Sequence, residues 1–172
     1  AVPTESDAQR YLRKRVRELY EGDLPQQARA DGTIALWIWH PEKKTLIPVV
    51  YDAADAALVV AAQLAADLHD LWPENEEYRR AYLMAMLEST KLLAGLDRSL
   101  PGGPGTARAA AAAEDPEALE DALVKAIEEH RIAAAIGAVE VLGDIGDSRV
   151  LLSDDGHPRP LVSALSHGNR RL

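Results

Sequence analysis

The segment Ala122-Leu123-Val124-Lys125-Ala126-Ile127 returns as Pro160-Leu161-Val162-Ser163-Ala164-Leu165, with Leu, Val and Ala in matching places. From Leu123 to Leu161 the offset is 38 residues. Self-similarity at such a period marks stacked helical hairpins, each too small to bury its apolar flank without a neighbour. The punctuation around the first copy agrees. Asp115-Pro116 supplies an N-cap and a favoured first helical residue, and Leu119, Leu123, Ala126 and Ile127 share one face, which predicts a helix over about 116–128. After Glu129-His130-Arg131 a second apolar helix is expected from Ile132 to Leu142, closed by Gly143-Asp144-Ile145-Gly146-Asp147. Two helices joined by so short a turn lie antiparallel.

Upstream, the pattern is again mostly helical. Ser6 with Gln9 reads as a capping box, and Ala8, Leu12, Val16, Leu19 and Tyr20 recur at helical spacing, predicting a first helix over 7–20. Its other face carries Arg10, Arg13, Lys14, Arg15 and Arg17, a basic patch that either meets an anionic partner or pairs with acidic neighbours. Between Thr33 and Tyr51 the texture changes to alternation, with a turn at His40-Pro41-Glu42-Lys43-Lys44, which predicts a short β-hairpin near residues 34–51. Pro48 lacks a donor and makes the second strand an edge. Trp37 and Trp39 then share one face, either as an exposed platform or, the commoner use, anchoring the hairpin to its core.

Asp52 is placed to cap a helix over 53–71, with Leu58, Ala61, Ala62, Ala65, Leu68 and Leu71 as its apolar positions. Asn75 starts another over 76–94, with Tyr78, Tyr82, Leu83, Met86, Leu87, Thr90 and Leu93 on its buried side and Gly95 as the stop. Pro101-Gly102-Gly103-Pro104-Gly105 is the densest breaker cluster, and Thr106 can cap a short Ala-rich helix ending near Ala113. The expected organisation is an N-terminal helical subdomain (1–100) holding the hairpin and a helix pair, a linker (101–115), and a repeat region (116–172).

Two resemblances sharpen this. Leu71-Trp72-Pro73-Glu74-Asn75, following the Ala-rich helix, resembles the turn of a tetratricopeptide (TPR) repeat. Ala133 to Asp147, AAAIGAVEVLGDIGD, resembles the second helix and closing turn of HEAT repeats of the bacterial phycobilisome-lyase type, with Gly143, Ile145, Gly146 and Asp147 the most telling residues. Asn169-Arg170-Arg171-Leu172 is similar to the start of another such second helix. These resemblances imply an all-α (mainly) fold, an α-helical repeat or solenoid of antiparallel helix pairs, used as a protein-binding scaffold, and they carry over no catalytic residue. The chain departs from the repeat pattern in the insert 148–159 and in stopping at Leu172, so surface missing from the stack is expected from further residues, from dimerisation or from the N-terminal helices packing back.

Composition narrows the function classes. Hydrophobic residues are 47% but aromatics 5%, with no Phe, so the apolar content is carried by Ala and Leu, which favour closely packed helices. A formal charge of −9 repels polyphosphate and argues against nucleic acid, leaving only the basic first helix and Arg170-Arg171 for that role. The absence of Cys excludes disulfides, thiolate metal sites and a Cys nucleophile. The Ala-rich stretch 53–66, interrupted by Asp55 and Gln63, is too short to span a bilayer. A soluble chain is expected, in the cytoplasm or, alternatively, exported.

Catalytic or metal chemistry finds little to work with. His40, His69, His130, His157 and His167 lack zinc-pair spacing, and Asp154, Asp155 and His157 sit in a Gly/Pro turn that uses Asp for its own backbone bonding. Glu128-Glu129-His130 has no accompanying nucleophile or oxyanion hole. No cofactor or metal is expected. The favoured reading is a non-catalytic module for a protein or peptide partner, with homo-oligomerisation open and Trp37, Trp39, Trp72, Arg10, Arg13 and Arg17 as the candidate surface. Its rivals are a ligand-binding protein or enzyme with a pocket between the helical halves, lined by Trp37, Trp39, Tyr51 and Trp72, and a nucleic-acid binder using the first helix.

Overall fold

A computed structural model describes residues 4–22, 31–40 and 43–145. The described residues form a mainly helical fold of six helices and one two-stranded sheet, in the order α1 (Glu5–Tyr20), β1 (Thr33–His40), β2 (Thr45–Asp52), α2 (Ala53–Leu71), α3 (Glu76–Ala94), α4 (Ala107–Ala112), α5 (Pro116–Glu128) and α6 (Ile132–Ile145). The second copy of the repeat (160–165), the insert, the end of the closing turn at 146–147, the Asp154/Asp155/His157 cluster, His167 and the final Asn169–Leu172 lie outside the described residues.

Capping corrects the start of α1. The N-cap is Thr4, whose hydroxyl accepts from the Asp7 amide at 3.2 Å while the Asp7 carboxylate accepts from the Thr4 amide at 3.1 Å. Thr outcompetes Ser6 because this register gives a reciprocal pair with an acid at the third helical position. The starts of α3 and α5 are as read, with Asn75 and Asp115 accepting from Tyr78 and Glu117 amides. Asp52 occupies the N-cap of α2, yet its side chain makes no capping bond. Helix α6 runs on through Gly143 to Ile145, past its expected end at Leu142.

Alanine sets the closeness of the packing. Along α2, Ala57, Ala61, Ala65 and Leu68 recur on one stripe and are fully buried, letting α1 dock Val16 and Leu19 against it. Leu71, expected on that stripe, is exposed because the helix ends there. Helix α3 is covered on several sides by α2, α5, α6 and α4. It therefore buries Leu83, Met84, Ala85, Leu87, Glu88, Ser89 and Lys91 rather than a single stripe, while Leu93 is exposed. The largest core joins Leu83, Met84 and Leu87 of α3 to Leu119, Ala122, Leu123 and Ala126 of α5 and to Ala134, Ala135, Ala138 and Val141 of α6. A Cβ at Gly137 of α6 would stand 3.1 Å from Leu87 Cβ, so glycine permits the close approach of α6 to α3.

Residues 101–115 do more than connect. Arg108 of α4 forks onto Asp144 of α6, and its Nη1 donates to the Leu100 carbonyl at 3.2 Å. Leu100 itself is buried in the α3–α5–α6 core. The α5–α6 turn closes as a Schellman motif: Arg131 N–H donates to Ala126 O at 2.7 Å and His130 N–H to Ile127 O at 3.1 Å, with His130 in the left-handed region at φ 57°.

Candidate functional site

The hairpin's register pairs Thr33 with Asp52 through to His40 with Thr45. Ala53 N–H donates to Gly32 O at 2.9 Å, one step beyond that ladder, which fixes its phase: the pairs 34/51, 36/49 and 38/47 exchange hydrogen bonds, and 35/50, 37/48 and 39/46 do not. Pro48 therefore falls where no donor is needed. The same alternation sorts the side chains. Ile34, Leu36 and Tyr51 turn to Ala53 and Ala56 of α2, forming a small core. Ala35, Trp37, Trp39, Leu46, Pro48 and Val50 occupy the outer face.

That outer face is open to solvent. Trp37 is 66% exposed, Trp39 57%, Leu46 53% and Val50 54%. The expectation that the tryptophans anchor the hairpin is corrected: the sheet is too narrow to bury both faces, and Ile34 takes the anchoring role with Ala53 and Ala56 beneath it. A patch of large apolar side chains on one sheet face is the usual signature of a contact surface. Sequence reading found the tryptophans but missed Leu46, Pro48 and Val50, which only the cross-strand pairing assembles beside them.

The other predicted site residues do not join this face. Trp72 packs edge-on against Tyr78 in the α1–α2–α3 core and donates its indole N–H to Glu5 Oε1 at 3.1 Å. Tyr51 lies on the opposite face of the sheet from Trp37 and Trp39, so the three cannot line one pocket with Trp72. On α1, Arg10 pairs with Asp7 at 3.6 Å, Arg13 with Glu77 of α3 at 2.6 Å, and Lys14 and Arg15 both reach Glu18, while Arg17 is exposed in the last turn. Thr4's hydrogen bonds hold the Asp7 carboxyl below its ordinary range, and Arg15's hydrogen bond does the same for Glu18. The basic patch is largely spent on these neighbours.

Two polar clusters escaped the sequence reading because their partners are far apart in the chain. The Lys91 ammonium is buried between the Glu140 carboxylate and the Arg98 carbonyl, and the other Glu140 oxygen accepts from Leu100 N–H at 2.8 Å. Arg131 stacks 3.8 Å over the Tyr20 ring, donates to the Tyr20 carbonyl at 3.1 Å and pairs with Glu88 at 3.0 Å. Burial raises the Tyr20 phenol and the Glu88 carboxyl, Arg131 opposing both. Each cluster ties elements together; the Lys91 cluster is satisfied by its own members, while the buried Tyr20 hydroxyl of the other has no hydrogen-bond partner among the described residues. A cleft of 210 Å³ lies between the first turns of α3 and α5, lined by Glu76, Arg79, Arg80, Asp115, Glu117, Ala118 and Asp121. It is smaller than the ~300–1,000 Å³ of ordinary ligand sites. Among the described residues no group of three or more His, Cys, Asp or Glu is placed to hold a metal ion, and no helix is long and apolar enough to cross a membrane.

Compared with known proteins, the chain matches no family model, no curated protein and no solved structure.

Proposed function

We propose that this chain is a non-catalytic protein-interaction module: a scaffold of stacked helical pairs of HEAT/TPR character that presents the β-hairpin to a partner protein. The observation that carries this reading is the solvent-facing apolar surface of Trp37, Trp39, Leu46 and Val50, held in place by the burial of the hairpin's other side on α2. Rigid aromatic side chains supply large contact area at little entropic cost, which is why Trp is enriched where partners bind. The similarity of 133–147 to a HEAT second helix and of 71–75 to a TPR turn supports the scaffold half of the reading, as does the layering of α2, α3, α5 and α6.

The test is site-specific photo-crosslinking in the native cell, with a photoreactive residue at Trp37 and a control at exposed Leu71. A discrete protein adduct at position 37 that is missing at 71 is the expected result. Equal, diffuse labelling at both positions overturns the reading.

A further inference from the structure

Resting on the interaction reading above, we infer that the occupant of the hairpin's outer face is a second copy of this chain, stacked face to face with the strands reversed so that the tip of one hairpin covers the base of the other.

Three features of the face bear on its pairing with itself, and charge is the one that selects that orientation. The first is size. The rows of the patch, running from tip to base, are Trp39/Leu46, Trp37/Pro48 and Ala35/Val50. Bulk thus declines from tip to base. A twofold axis lying between the sheets, across the strands at the Trp37/Pro48 row, sets Trp39/Leu46 of each copy over Ala35/Val50 of the other, large on small. The same axis sets Trp37 on Trp37, while in the tip-on-tip alternative, whose axis runs along the strands, Trp39 faces Leu46, Trp37 faces Pro48 and Ala35 faces Val50, so bulk permits either orientation and charge chooses between them.

The second is charge. In the turn the sequence sets Lys43 and Lys44 against Glu42, a formal charge of +1, and the base carries Asp31 and Asp52. Reversal places each basic tip on an acidic base, twice over by symmetry, whereas tip-on-tip stacking opposes lysine to lysine. The formal charge of −9 on each chain works against association at long range, but screening over ~8 Å at physiological salt leaves the charges nearest the interface to decide its orientation.

The third is area. Two tryptophans and two aliphatic side chains, each more than half exposed, offer roughly 500 Å² per copy, or about 1,000 Å² in all, which is the lower bound for a specific interface. A micromolar, reversible dimer is expected. Two sheets packed this way form a small sandwich with reversed, roughly aligned strands and a dry inner layer.

The experiment is sedimentation velocity on the full chain from low-micromolar to several hundred micromolar. Wild type is expected to pass from monomer to dimer, with a concentration-dependent blue shift of tryptophan emission in a Trp72→Phe background. Trp37→Ser/Trp39→Ser is expected to remain monomeric with unchanged far-UV circular dichroism, since both side chains are solvent-facing. Lys43→Glu/Lys44→Glu and, separately, Asp52→Lys are each expected to weaken dimerisation about tenfold, and a mixture of the two chains to recover it, because the mixed dimer opposes unlike charges at both ends. A wild-type monomer at every concentration overturns the inference, as does a dimer that survives loss of both tryptophans. If the monomer nevertheless yields a discrete foreign adduct at position 37, the interaction reading stands and the occupant is another protein. An adduct within the same chain assigns the face to internal cover, and no adduct at all removes both.

Discussion

Replacing either member of the Lys91–Glu140 pair is expected to cost different amounts, and the asymmetry follows from burial. The Lys91 side chain is 1% exposed and Glu140 24%. With Glu140→Gln, the ammonium keeps the Arg98 carbonyl at 2.5 Å but loses its counter-charge in a place water cannot reach. The cost belongs at the upper end of the ~3–5 kcal/mol seen when one partner of a buried pair is removed. With Lys91→Met, the carboxylate retains the Leu100 amide and some hydration, and the methionine fills much the same volume; the unsatisfied Arg98 carbonyl and unpaired charge together come to roughly 2–3 kcal/mol. The double variant should therefore be more stable than Glu140→Gln alone, by about 2 kcal/mol, since it no longer buries a lone ammonium. Urea denaturation followed by far-UV circular dichroism at neutral pH measures all three against wild type. A Glu140→Gln variant no less stable than Lys91→Met, or a double variant worse than both singles, would refute the reasoning.

Three further outcomes are expected. Gly143→Ala, with nothing within 4 Å of its new Cβ, should raise stability by about 0.5–1 kcal/mol through helix propensity, whereas Gly137→Ala should lower it by about 1 kcal/mol, because Leu87 Cβ at 3.1 Å is fixed to the α3 backbone; opposite signs in thermal melts check the pair. Asn75→Ala removes the acceptor for the Tyr78 amide and should cost about 1 kcal/mol in the same melts. Burial holds the Glu88 carboxyl above its ordinary 4.5, so the folded chain binds that proton more tightly than the unfolded one; this contribution is full below pH 4.5 and is lost as pH rises through the raised value. Glu88→Gln should flatten that decline in a stability-versus-pH series, and an unchanged slope would contradict the assignment.

Most of the helical framework was legible from the sequence because its signals are local. Asn75, Asp115 and Gly95 sit where capping chemistry demands, and α2, α3 and α5 have the expected bounds. The hairpin was legible from strict alternation, but which face turns inward was not, since Ile34 and Trp37 are both good strand residues and only the position of α2 decides between them. Lys91, Glu88, Glu140 and Arg131 were invisible for a related reason. On a helix covered from several sides a charged residue cannot be recognised as buried until its partner, 49 positions away for Lys91 and Glu140, is known. The second copy of the repeat, which first suggested stacked pairs, lies outside the described residues, so the scaffold reading rests on the helix packing and the hairpin.

Helix α3 lends side chains to the core it shares with α5 and α6 and to the one it shares with α1 and α2. A break in the backbone between Gly102 and Gly103 would strip it of half its covering without deleting a residue. Two such fragments should be insoluble when produced separately and should reassemble when produced together, which makes that loop a natural position for a split reporter.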